Sequence, residues 1–170
     1  MAKANFAKLN KIFTSRNISL STKIRLNKCY IWSIFMYGCE TWTLTVSVEK
    51  RIEAFEMWLY RRITRTSWKE KKTNQEILEK LNLTQTELLK TIKQRKLSYY
   101  GHIRRHETIQ KKILEGKVNG KRGTGRKRKS WQQNIEEDAS MKINECSKVA
   151  LDRRRWKIMA SNLWKEKEPR

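Results

Sequence analysis

His102 and His106 stand four residues apart in a stretch of helical spacing, which puts both imidazoles on one face of a helix. That is a metal-ligand spacing, and Cys29 and Cys39 are the residues that could complete a set of four. Zinc ligands normally come in close pairs, however, and nine residues separate these cysteines. The expectation is therefore no metal site, with the histidines reaching a phosphate or capping a packed helix and the cysteines filling core space. Carboxylates are poorly placed for catalysis. Asp occurs only at 138 and 152, and Glu136, Glu137 and Asp138 lie in a row that one helix splays over different faces. A two-metal phosphoryl-transfer centre needs clustered carboxylates, so this row reads as a solvated acidic patch near a helix N-terminus. No glycine-rich loop followed by Lys-Ser/Thr and no Ser-His-Asp ordering occurs. The chain does not read as a self-sufficient enzyme, and no cofactor is expected in it.

Phosphate binding is the better-supplied chemistry. The stretch Lys117–Trp131, KVNGKRGTGRKRKSW, holds Lys117, Lys121, Arg122, Arg126, Lys127, Arg128 and Lys129 among three glycines and no acid. Glycine costs backbone entropy in regular elements and the like charges repel, so a mobile basic loop is expected. A polyanion would neutralise and order it; a solvated linker is the bland alternative. A second basic group, Lys90, Lys93, Arg95, Lys96, Arg104 and Arg105, shares one predicted helix with His102, opposite an apolar side of Leu88, Leu89, Ile92, Tyr99 and Ile103. A recognition helix has this character, and so does a structural helix with a solvated outer face.

The elements that must hold these residues are helices. Phe6, Leu9, Ile12 and Phe13 share a face, predicting a short helix over 3–13. A second is predicted from about Ser21 to Met36; Tyr30 and Trp32 make it apolar on more than one stripe, as in a central buried helix. Gly38 is placed to end it in the left-handed conformation. Val48, Ile52, Phe55, Leu59 and Ile63 predict a helix over 46–65. The pairs Thr73/Glu76 and Thr84/Glu87 have capping-box spacing, predicting helices at 74–81 and 85–105 joined in a loose helix-turn-helix. Ile109–Glu115, a Ser130-capped helix at 131–139, and a last helix at 147–165 packing through Val149, Trp156, Met159 and Leu163 complete the series. The fold expected is mainly α, a bundle of six to seven helices with the basic loop between them. By composition the chain divides into 1–70, a helical bundle; 71–116, the helix-turn-helix-like basic segment; 117–130, the loop; and 131–170, the C-terminal helices.

The totals agree. Among 170 residues, forty Lys and Arg against seventeen Asp and Glu leave a net charge of +23, which points to a polyanionic partner. Residues 71–130 hold eighteen of the basic side chains and five of the acidic ones, and so form the expected polyanion surface. No apolar run has the length of about 20 residues that a membrane span needs, and the first residues have no signal-peptide character. Three widely spaced cysteines argue for a reducing compartment, cytoplasmic and/or nuclear.

Several strings, in order along nearly the whole chain, resemble the C-terminal region of non-LTR (LINE-type, RTE-like) retrotransposon endonuclease–reverse transcriptases. They are KIRLNKCYIWSIFMYGCETWTLT at 23–45, EAFEMWLYRRITRTSW at 53–68, TIKQRKLSYYGHIRRHE at 91–107, ILEGKVNGKRGTGRKRKSWQQNI at 113–135 and ALDRRRWKIMASNL at 150–163. The resemblance implies a helical thumb that follows the polymerase palm, then a basic tail. It implies that the palm, with its Mg2+-binding aspartates, and the endonuclease belong to upstream segments of a parent polypeptide, and that this chain is an excerpt or a decayed copy. Tyr37, Gly38, Glu40 and Trp42 would then form the corner that packs the thumb helices. Chemistry adds the candidate contacts to RNA or DNA: Arg95, Lys96, His102, Arg104 and Arg105 on the helix, and Lys121, Arg122, Arg126, Lys127, Arg128, Lys129 and Trp131 in the loop, with base stacking on Tyr99, Tyr100 or Trp131. Thr64 and Thr124 depart from the family's pattern. The alternative readings are a nuclear-targeting or protein-interaction module built on Lys121–Lys129, and an inactive retrotransposon-derived fragment.

Overall fold

The helical periodicities of the sequence become helices. The computed structural model describes residues 1–116, 125 and 128–162, and among these there is no strand. In chain order the helices are α1 (Ala2–Lys8), α2 (Asn10–Thr14), α3 (Leu20–Asn27), α4 (Ser33–Phe35), α5 (Val46–Ile63), α6 (Asn74–Lys80), α7 (Leu88–Arg105), α8 (Ile109–Glu115), α9 (Trp131–Ala139), α10 (Ile143–Leu151) and α11 (Arg153–Asn162). They outnumber the six or seven expected because long stretches are interrupted. The segment 3–13 breaks at Leu9, and a π-helical turn at Lys28–Trp32 joins α3 to α4. The predicted last helix divides at Asp152, whose Oδ1 accepts from the backbone N–H of Arg154 at 2.9 Å and of Arg155 at 3.1 Å. That is a helix N-cap inside an apparently continuous pattern. Leu163 and most of the 117–130 loop lie outside the described residues.

The chain forms two compact units, Met1–Cys39 with Val46–Thr91, and Glu40–Thr45 with Ile92–Arg170. The division falls within α7, not at a boundary visible in composition.

In the first unit the expected α5 stripe is buried at Ile52, Phe55, Leu59 and Ile63, and Met57, Tyr60 and Glu56 widen it. Phe35 stacks on Phe55 at 4.5 Å between ring centroids, and Phe6 on Phe13 at 4.6 Å. The stretch α3–α4 is not buried all round, as its aromatic content suggested. Ile31 and Trp32 are buried, while Tyr30, Ile34 and Cys29 are exposed, so Cys29 is not a core residue. Cys39 and Cys146 are. Gly38 has φ +66, the left-handed turn expected of it.

The start of α7 differs from expectation. Residues 85–87 are not helical and Thr84 caps nothing. The carboxylate of Glu56, fully buried on α5, accepts instead from the Glu87 N–H and the Leu88 N–H, both at 2.9 Å, and from the Tyr60 hydroxyl at 2.6 Å. A long-range cap replaces a local one because Glu56 would otherwise be a buried charge without donors, at a cost of several kcal/mol. Burial raises its carboxyl above the ordinary value, and the three hydrogen bonds work against that rise.

The second unit packs around Leu97, Tyr100, Ile135, Cys146, Ala150 and Trp156. Asn134 ties the Glu40–Thr45 segment to this core: its Oδ1 accepts from Leu44 N–H at 2.6 Å and its Nδ2 donates to Leu44 O at 2.8 Å. Helix α9 begins where expected, with Ser130 and Gln133 forming a reciprocal capping box. The acidic row on α9 is not a solvated patch. Glu136 Oε1 accepts from the Ile143 N–H that opens α10 at 2.8 Å, Glu137 pairs with Lys129 at 2.6 Å, and Asp138 pairs with Lys93 at 3.2 Å, where both partners are largely buried.

Candidate nucleic-acid interface

Helix α7 alternates residues that must pack with residues free to bind, and the fold sorts the basic set accordingly. Lys96 is fully buried, with Nζ donating to Asn134 Oδ1 at 2.8 Å; it is a core residue and offers nothing to a phosphate. Arg105 Nη1 donates to Ala150 O at 2.8 Å, next to the C-terminus of α10, where a cation complements the helix dipole. Arg104 is paired with Glu115. Lys129 is tied to Glu137, while Arg128 is exposed. Arg95 is exposed and lies 4.0 Å from Glu40. Lys121, Arg122, Arg126 and Lys127 lie outside the described residues.

Of the rings expected to stack on bases, one is buried and two are half-buried. Tyr100 is buried and donates to or accepts from Ser147 Oγ at 2.8 Å, and burial raises its phenol above the ordinary range. Trp131 is half-buried, its Nε1 donates to Glu40 O at 2.9 Å, and its ring meets Tyr99 edge-on at 6.4 Å. Tyr100 is thus a core residue, while Tyr99 and Trp131 are half-buried and packed edge to face. The Tyr37–Trp42 corner is mixed: Tyr37 is 89 % exposed and packs nothing, Trp42 is half-buried, and Glu40 contributes its carbonyl to Trp131.

What α7 leaves open is a groove of about 910 Å³ between it and α11. From α7 come Gln94, Ser98, His102 and Arg105; His106, expected on the same helix, follows directly after its end; from α11 come Arg153, Arg154 and Lys157, with Trp156 as the floor. Among the described residues the lining contains five basic or imidazole side chains besides the engaged Arg105, and no carboxylate. No known family model, curated protein or solved structure matches this chain. The groove therefore speaks through its own residues. His102 and His106 are exposed, with ring centroids 4.4 Å apart. Among the described residues no three His, Cys, Asp or Glu side chains come together to hold a metal. On the groove side of this pair stand Arg105, Arg153, Arg154 and Lys157, a field that attracts an anion.

The groove exists because Gly101 lets Trp156 approach. A Cβ on Gly101 would lie 2.4 Å from Trp156 Cδ1, and Trp156 Nε1 donates to Leu97 O at 2.8 Å. The indole thus lies flush on the α7 backbone, and the residues flanking it on α11 stand beside those flanking Gly101 on α7. Arg153, Arg154 and Lys157 were absent from the sequence-based candidates. Their signal was present: Arg153 and Lys157 are four apart and bracket a packing tryptophan, which places them on one side of it.

Proposed function

We propose that the chain binds nucleic acid through the phosphate backbone, with little regard to sequence, as the C-terminal fragment of a non-LTR-type RNA-directed DNA polymerase that lacks its catalytic palm. The observation that carries this reading is the basic groove between α7 and α11, whose described lining residues include no carboxylate. A net charge of +23 supplies the long-range attraction, and the Lys121–Lys129 run supplies further cations in sequence. With Tyr100 buried and Trp131 half-buried, charge is taken as the main source of affinity. Chemistry and Mg2+ would belong to the palm of the parent polypeptide.

The test is direct binding of RNA and DNA oligonucleotides as a function of salt. With about six phosphates contacted, affinity falls on the order of a thousandfold between 50 and 200 mM salt. A complex indifferent to salt, or no complex at low salt, would overturn the reading. Primer extension by the isolated chain is expected to yield no product.

A further inference from the structure

We propose that His102 and His106 are proton-linked phosphate contacts, so that a phosphodiester strand lying in the α7–α11 groove draws protons onto the imidazole pair. This deepens the reading above and rests on it. The two rings are exposed and 4.4 Å apart, His102 in the last turn of α7 and His106 directly after its end. Facing them in the groove are Arg105 of α7 and Arg153, Arg154 and Lys157 of α11. On its other side His102 shares a recess of about 520 Å³ with Glu40, Thr41, Arg95 and Tyr99, where Glu40 and Arg95 lie 4.0 Å apart.

In the free protein Arg105, Arg153, Arg154 and Lys157 make the groove beside the two imidazoles positive. A strand of phosphates reverses the sign of that environment. It neutralises the arginines and the lysine, and each imidazolium gains a charge-assisted hydrogen bond to a phosphate oxygen. Imidazole is the side chain whose charge ordinarily changes between pH 5 and 8, so the coupling falls in an accessible range. Binding and proton uptake are then one event.

The experiment measures anisotropy of a fluorescent dT20 oligonucleotide bound to the full chain at pH 8.0 and pH 5.5, over a series of salt concentrations. The expected affinity gain on acidification is roughly tenfold or more, from one to two added charge-assisted hydrogen bonds. The log–log salt dependence should steepen by about one unit. The H102Q/H106Q variant should lose most of that gain, and E40Q should retain it, which separates the histidines from the nearby carboxylate. In wild-type protein the imidazole Cε1–H resonances should titrate at higher pH with dT20 bound than without. A gain that survives in H102Q/H106Q, or salt-dependent binding of equal strength at both pH values, overturns the proton linkage alone. Absence of binding at both pH values overturns the nucleic-acid reading together with it.

Discussion

Trp156 rests on Gly101. The Cβ that any other residue would place at 101 falls 2.4 Å from the indole Cδ1, and the indole N–H is already committed to Leu97 O at 2.8 Å. Trp156 is 2 % exposed, so little room remains for it to retreat.

G101A sets two effects against each other. Alanine gains about 1 kcal/mol of helix propensity over glycine, and overpacking a filled core costs about 1–3 kcal/mol. Because the clash is with a ring pinned by a hydrogen bond, the overpacking cost should win. Chemical denaturation of G101A is expected to show a net loss of stability, and G101V a larger one. An unchanged or higher midpoint in G101A would show that the ring moves freely.

Replacement of the α11 cations, R153A/R154A/K157A, removes exposed side chains from the groove without touching its floor. Binding of a single-stranded oligonucleotide should weaken at all sequences alike. The slope of log affinity against log salt should shrink by about 2, at about 0.7 for each phosphate no longer neutralised. Far-ultraviolet circular dichroism should be unchanged. If the slope stays constant, the strand lies elsewhere.

Glu56 gives a pH prediction with a definite sign. Burial raises its carboxyl above the ordinary 4.5. A raised folded value means that protonation favours the folded state. Its contribution to stability is thus complete below the unfolded value and is lost as pH rises through the folded one. The stability difference between wild type and E56Q should therefore move in favour of wild type as pH falls from 7 toward 4.5. E56A, which strips the acceptor from Glu87 N–H, Leu88 N–H and Tyr60 OH, should cost about 2–5 kcal/mol near neutral pH.

Thiol labelling separates the three cysteines. Cys29 is exposed, Cys39 is buried, and burial with Glu136 nearby pushes the Cys146 thiol up to about 11. Thiolate is the reactive form, so an aromatic disulfide reagent at pH 8 should titrate one thiol quickly and the other two only on unfolding. C29S should abolish the fast phase.

Much of this architecture was legible in the amino-acid sequence. Ile52, Phe55, Leu59 and Ile63 announce a helix and its buried face, Ser130 announces the start of α9, and Gly38 announces a left-handed turn, because each depends on neighbours within a turn or two of chain. The basic character that suggests a polyanionic partner is likewise a property of composition alone. The site was legible only in part. Lys96 and Arg105 have the same chemical type as Arg95, and periodicity does not reveal that one lies against Asn134 and another against Ala150 O. Glu56 capping α7 across 31 residues, and Asn134 holding Leu44 across 90, are long-range interactions that no local pattern encodes. Local spacing fixes which face a side chain occupies; only packing fixes what that face meets. The α7–α11 groove is a product of the second kind, built by one glycine that admits one tryptophan and so brings His102 and His106 beside Arg153, Arg154 and Lys157.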